Sequence, residues 1–164
     1  LGGAVANIAA VANTIAQRDS EGDLVARKFE GTATAAQYAD LAENYLGDNK
    51  YDPGTVLIFG GANEVTTTSI FCDHRVAGVV STDPAHLMNA GLFGDFVNAV
   101  ALRGRVPCKV EGAVNKGDLI VTSPTPGVAT ALTKDSALPN AVCIIGKAIE
   151  SSTDTGIKLV EVVV

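Results

Sequence analysis

From residue 55 to the end, the chain alternates short apolar runs with turn-forming residues, the spacing of a body built from many β-strands. Strands are predicted at 55–59 after Asp52-Pro53-Gly54, at 75–81 before Asp83-Pro84, at 99–103 and at 105–110. Further runs follow at 118–122, 128–131, 142–150 and 157–164. Within 105–110, Val106, Cys108 and Val110 alternate with Arg105, Pro107 and Lys109, so one face should be dry and the other wet. Pro107 has no amide to give a ladder, which predicts an edge strand or a proline nitrogen turned away from its neighbour.

Asn115-Lys116-Gly117-Asp118 reads as a tight turn, with Gly117 free to take positive φ, and predicts a hairpin between 105–110 and 119–121. Pro126 and Gly127 supply the fixed φ and the positive φ of a type II turn. The last run is almost continuously apolar, which suits a strand covered on both faces in a closed barrel, or one packed against another chain. Left open to water, it would template aggregation. A Val-rich body of this size hides its edges as a β-barrel or sandwich.

The first fifty residues hold 12 Ala and 3 Val, against 12 Ala and 17 Val in the rest. This shift sets a soft boundary between Gly31 and Ala36, dividing a stalk-like segment, 1–33, from a β-rich domain, 34–164. Val5, Ile8, Ala12 and Ile15 have the 3-4-3 spacing of a short helix, whereas 14–18 and 23–30 around a polar turn fit a β-hairpin. Tyr38, Leu41 and Tyr45 likewise fit a helix, and the alternation of Ala39 and Leu41 fits a strand. The opening Leu1-Gly2-Gly3 lacks an initiator Met, and the apolar stretch 4–16 has no basic flank and carries Asn7 and Asn13. It is a poor signal peptide, and the expectation is a C-terminal piece of a longer polypeptide.

With 47% hydrophobic and 18% charged residues, the composition is far from that of a disordered chain. Eighteen acids against twelve bases leave a net charge of -6, without the Lys/Arg surplus that phosphate backbones require, so no nucleic-acid partner is expected. No run reaches the roughly 18 apolar residues of a spanning helix, so no membrane insertion is expected either. Cys72, Cys108 and Cys143 are isolated and odd in number, which argues against a closed disulfide framework; they read as small core hydrophobes.

Candidate chemistry is sparse. His74 and His86 stand beside Asp73 and Asp83 in sequence, but a metal site needs three or four converging ligands and their spacing matches no such motif; they read as polar loop residues. Ser81, Cys72 and His74 supply the letters of a nucleophilic triad, which only geometry can define. No glycine loop of a nucleotide cradle appears; Gly60-Gly61 and Gly91-Leu92-Phe93-Gly94 read as turns. Asp40, Glu43 and Asp48 near Tyr38 and Tyr45 form an acidic cluster that reads as a solvated face rather than an acid/base pair. No catalytic residue, metal ligand or cofactor is therefore assigned.

Three stretches in order carry a resemblance: Asn13-Thr14-Ile15 with Arg18-Asp19 and Gly22, then 38–56 opening on Tyr38-Ala39-Asp40-Leu41-Ala42-Glu43, then 75–84. Segments 101–128 and 145–150 and the Val-rich end continue it, from about residue 13 to 164. The chain resembles the C-terminal region of tail-fibre and other virion structural proteins of tailed bacteriophages, especially those infecting marine cyanobacteria. The resemblance implies a shaft-like hairpin for 14–30, a strand at the Tyr38 element, and a homotrimer, which would bury the apolar terminal strand and the Ala-rich lead-in. The chain is also similar to the self-cleaving chaperone domains ending some phage appendages. The Cys, Ser or Thr junction and His-Asn pair of an intein-like cut are not found, since His74 precedes Arg75 and His86 precedes Leu87; a cut driven by Asp40 or Glu43 stays open.

The expected fold is mainly β: a C-terminal barrel or sandwich on a short N-terminal stalk of β-hairpin or helix. The expected function is that of a non-enzymatic virion component in a phage tail or fibre, trimeric, meeting other virion proteins and a host surface glycan or protein. Loops 71–74, 87–96 and 132–140 are where such contacts would fall. The supply of aromatics for sugar stacking is thin, with three Tyr, five Phe and no Trp. The rival readings are an autoproteolytic assembly domain and a cellular β-barrel that binds a small ligand.

Overall fold

A single fifteen-residue strand organises the body of the protein in the computed structural model, which describes residues 6–7, 15–16, 18, 20–21, 40–132 and 141–164. The chain divides into two compact units, Leu1–Ala35 and Ala36–Val164. In the first, β1 (Ala6–Asn7) and β2 (Ile15–Ala16) pair in parallel. Ile15 is thus in an extended strand, not on a helical seam, and Ile15–Ala16 takes Ala6–Asn7 as its partner. The second arm of the expected hairpin, 23–30, lies outside the described residues.

The second unit holds β3 (Asp40–Leu46), β4 (Val56–Phe59), β5 (Val65–Thr66), β6 (Val76–Val80), β7 (His86–Met88) and β8 (Val97–Glu111). After these come β9 (Leu119–Thr122), β10 (Ala129–Ala131), β11 (Ile144–Ala148) and β12 (Lys158–Val163), with a 3-10 turn at Ala141–Cys143. The described residues contain no α-helix, and of the barrel or sandwich expected from the sequence the barrel is present. Strands β8, β12, β11, β9 and β10 neighbour one another in that order, and a parallel pairing of β10 with β8 closes the ring. Closure of five strands leaves no free edge in that ring.

The N-terminal half of β8 belongs to a second sheet, between β3 and β6, with β4 and β5 beyond. Here β4, β6 and β8 separate two cores. Val56, Val79 and Ala101 join the barrel core with Val106, Cys108, Val110 and Val160. The adjacent residue on each strand, Leu57 after Val56, Val80 after Val79 and Val100 before Ala101, enters a second core with Val65. Consecutive residues of a strand point to opposite faces, so these three strands are apolar on both sides. The doubly covered strands are therefore these. β12, for which the sequence predicted either that environment or packing against another chain, buries Val160 and Val162 but leaves Leu159 and Val163 exposed.

The expected strands at 99–103 and 105–110 are one strand turned at Gly104, whose φ of 112° is unfavourable for a residue with a Cβ. Val106, Cys108 and Val110 are buried as the alternation required. The Lys109 amide donates to the Gly54 carbonyl at 2.8 Å, away from β12. Pro107, two residues earlier, therefore turns its nitrogen to that same side, clear of β12.

The turn at residues 115–118 forms, with the Asp118 amide donating to the Asn115 carbonyl at 3.0 Å and Gly117 at φ 93°. The predicted hairpin does not. Val114 bridges Ser152, and Gly117 and Asp118 bond to Ala148, so the turn delivers β9 beside β11 while β10 lies next to β8. The β9–β10 hairpin forms instead, across the turn where Val128 donates to Thr125 and Gly127 has φ 76°. That is the type II geometry expected of Pro126-Gly127.

Candidate functional site

Three loops meet at the end of β3 and enclose an open cleft of about 330 Å³, lined in part by Asp48, Asn63, Asp95 and Phe96. The backbone there is held by side chains. Asn98, fully buried, accepts from the Tyr51 amide at 2.9 Å and donates to the Asn49 and Phe96 carbonyls at 3.0 Å each. The Gly47 amide donates to the Phe96 carbonyl at 2.8 Å, and the Asn63 side-chain amide donates to the Gly47 carbonyl at 2.7 Å. Glu64 accepts the Leu46 amide at 2.7 Å. Asn44 and Asn89 exchange side-chain donors for each other's carbonyls at 3.3 and 3.1 Å, fixing the start of the loop that carries Phe93. Phe93 is 95% exposed.

Asp48 accepts from the Tyr51 hydroxyl and from Thr66 Oγ1, the latter at 2.7 Å. These bonds, Tyr51 first, hold its carboxyl below the ordinary range. The cleft thus brings together an ionised carboxylate at Asp48, a second acidic residue at Asp95, an amide at Asn63 and an aromatic residue at Phe96, a set suited to polar and apolar contacts.

The acidic residues singled out from sequence are not gathered. Asp40 and Glu43 occupy opposite faces of β3, because the buried set is Asp40, Ala42 and Asn44 rather than the face of Leu41. Glu43 accepts the Tyr45 hydroxyl at 2.8 Å. Burial, followed by Glu43, pushes the Tyr45 phenol up to about 12. Asp40 is 7% exposed, and its Oδ2 has no hydrogen-bond partner. Residues 38–39 lie outside the described set.

Loop 71–74 is pinned rather than open. Cys72 and Cys143 form a disulfide, their Cα atoms 5.2 Å apart across 71 residues of sequence, which corrects the reading of both as lone core hydrophobes. Cys108 is the buried free thiol that reading described, pushed up to about 12 by burial. Asp73, buried at 2%, accepts from Arg75 Nε at 3.0 Å and Nη2 at 2.7 Å, from the Arg75 amide at 3.0 Å and from Thr68 at 2.7 Å. The Arg75 guanidinium, helped by these neighbours, outweighs burial and holds the carboxyl well below its usual value. His74 Nδ1 lies 3.9 Å from Asp73 and is exposed, while His86 pairs with Leu41 on β7. Ser81 is buried and its hydroxyl has no partner. Of the three loops expected to carry contacts, 87–96 borders the cleft, 71–74 is clamped beside exposed Ile70 and Phe71, and 133–140 lies outside the described residues.

The sequence reading missed Asn63, which lines the cleft, and Thr66 and Asn98, which bond to Asp48 and to the Asn49 and Phe96 carbonyls beside it; the one signal was a polar Asn98 inside an apolar run.

No known family model matches this chain, and no curated protein matches its sequence. Among solved structures, the pre-mature bacteriophage phi29 gene product 12 is similar in fold, with a TM-score of 0.53 and 15% sequence identity. The likeness covers 88% of this chain and 23% of that one, so this chain spans about a quarter of the length of its neighbour.

Proposed function

We propose that this chain is a non-enzymatic structural domain of a phage virion, a β-rich C-terminal domain of a tail fibre or similar appendage. It acts as a homotrimer among other virion proteins and contributes to attachment at a host surface glycan or protein. The observation that carries this reading is the fold shared with a bacteriophage protein over most of the chain. The order of sequence motifs from residue 13 onward supports the same reading. Clamped loops on a closed barrel suit a mechanical part, and the cleft at Asp48, Asn63 and Phe96 suits a contact surface. Immunogold labelling of the phage particles, with antibody raised against the chain, tests the location. Gold on tail appendages is expected, and unlabelled particles would sink the proposal.

Autoproteolysis is the second reading, favoured by the buried, unpartnered Oδ2 of Asp40. Intact-mass measurement of the purified chain decides it. A pair of fragments abolished by Asp40→Asn supports cleavage, and a single species of 16.7 kDa removes it.

A further inference from the structure

The outer face of β12 carries Leu159, Glu161 and Val163, and the register sets Lys109, Pro107 and Arg105 of β8 directly opposite them. Lys147 of β11 stands beside Val163 on the other side. Directly opposed residues share a face of the sheet, so these side chains make one surface three strands wide. Leu159 is 59% exposed, Val163 42% and Ile157 56%, although β12 is hydrogen-bonded on both edges within the ring. Exposed apolar residues scattered singly need no explanation. Leu159 and Val163 on β12, with Ile157 just before it, make a strip with no partner among the described residues.

The surrounding charge identifies the partner. The chain carries a net charge of -6, yet this face presents three cations, Arg105, Lys109 and Lys147, against two carboxylates, Glu161 and Glu150, the latter accepting the Glu161 amide at 2.8 Å. Among the described residues, Arg105, Lys147 and Glu161 form no ion pair, and Lys109 donates to the Thr55 hydroxyl at 2.9 Å. A basic rim around an apolar strip on an acidic protein is complementary to the rest of the protein's own surface. We infer that a second copy of this chain covers the outer face of β12, in a contact joining two different patches, the kind that closes into a ring. This rests on the homo-oligomeric part of the proposed function and adds which face is used.

Sedimentation velocity of the whole chain at micromolar concentration, for wild type, Leu159→Glu and Leu159→Met, tests it. The wild type and Leu159→Met should sediment as the same oligomer, and Leu159→Glu as a monomer, with an unchanged far-ultraviolet circular dichroism spectrum. If Leu159→Glu loses that spectrum, Lys147→Glu at an exposed position replaces it, expected to weaken assembly at least tenfold. An oligomer untouched by the folded variant overturns the assignment of this face and leaves the oligomeric reading standing. A monomeric wild type overturns both, and one that binds anionic lipid vesicles through Leu159 gives the face to a lipid surface instead.

Discussion

Val164 and Gly104 clasp one another: the Val164 amide donates to the Gly104 carbonyl at 2.9 Å, and the Gly104 amide donates to the Val164 carbonyl at 3.3 Å. Gly104 also opposes Asp40 of β3, so the corner where β8 leaves one sheet for the other is bonded to strands of both. The corner exists because φ there is 112°. Gly104→Val should destabilise the protein by about 1–3 kcal/mol through backbone strain, read as a lower midpoint in thermal circular dichroism. An unchanged midpoint would show that β8 can turn without a glycine.

Asp73 should make stability depend on acid. Its carboxyl is held below its ordinary value in the folded protein, so its contribution is complete above the unfolded pKa of about 3.9 and is lost as pH falls through the folded one. Wild type should therefore lose stability below about pH 4, and Asp73→Asn should show a shallower acid slope. At neutral pH, Asp73→Asn should cost about 1–3 kcal/mol, since an amide cannot accept all the bonds that the buried carboxylate takes from Thr68 Oγ1 and from the Arg75 amide and guanidinium. Urea denaturation at pH 7 and pH 3 checks both points.

The Cys72–Cys143 bond closes a long loop, and its loss should lower stability by about 2–4 kcal/mol. Reductant should lower the midpoint of wild type and leave Cys72→Ser/Cys143→Ser unchanged. In that double variant, Cys108 should react with a thiol reagent only on unfolding, because its sulfur is enclosed in the barrel. Prompt labelling of the folded protein would contradict the packing of β8.

Asn98→Ala should cost about 2–3 kcal/mol, because it strips hydrogen bonds from the Tyr51 amide and the Asn49 and Phe96 carbonyls. Its effect should concentrate at the cleft. Hydrogen exchange should rise at Gly47 and Tyr51 more than at Val160, and a uniform rise would show that Asn98 does not position these loops in particular.

Much of the strand pattern could be read in the sequence because local signals agreed. Val106, Cys108 and Val110 alternate with polar residues, and Gly127 follows Pro126 where a type II turn needs it. What was misread depended on partners far away in the chain. The turn at residues 115–118 predicts a reversal correctly, but which strand receives it is decided by Val114 with Ser152 and by Asp118 with Ala148. The pairing of Cys72 with Cys143 leaves no trace in spacing, and β5 and β7 are too short for periodicity to register. The cleft was least legible of all. Asp48, Asn63 and Phe96 belong to separate loops, and ordinary polar residues become a site only once β3, β5 and β8 converge.

Because Val100 and Cys108 sit on one continuous strand yet serve different cores, neither core can melt without removing a wall of the other. The strands from residue 40 onward should thus unravel in a single all-or-none step, with no separate transition for either core.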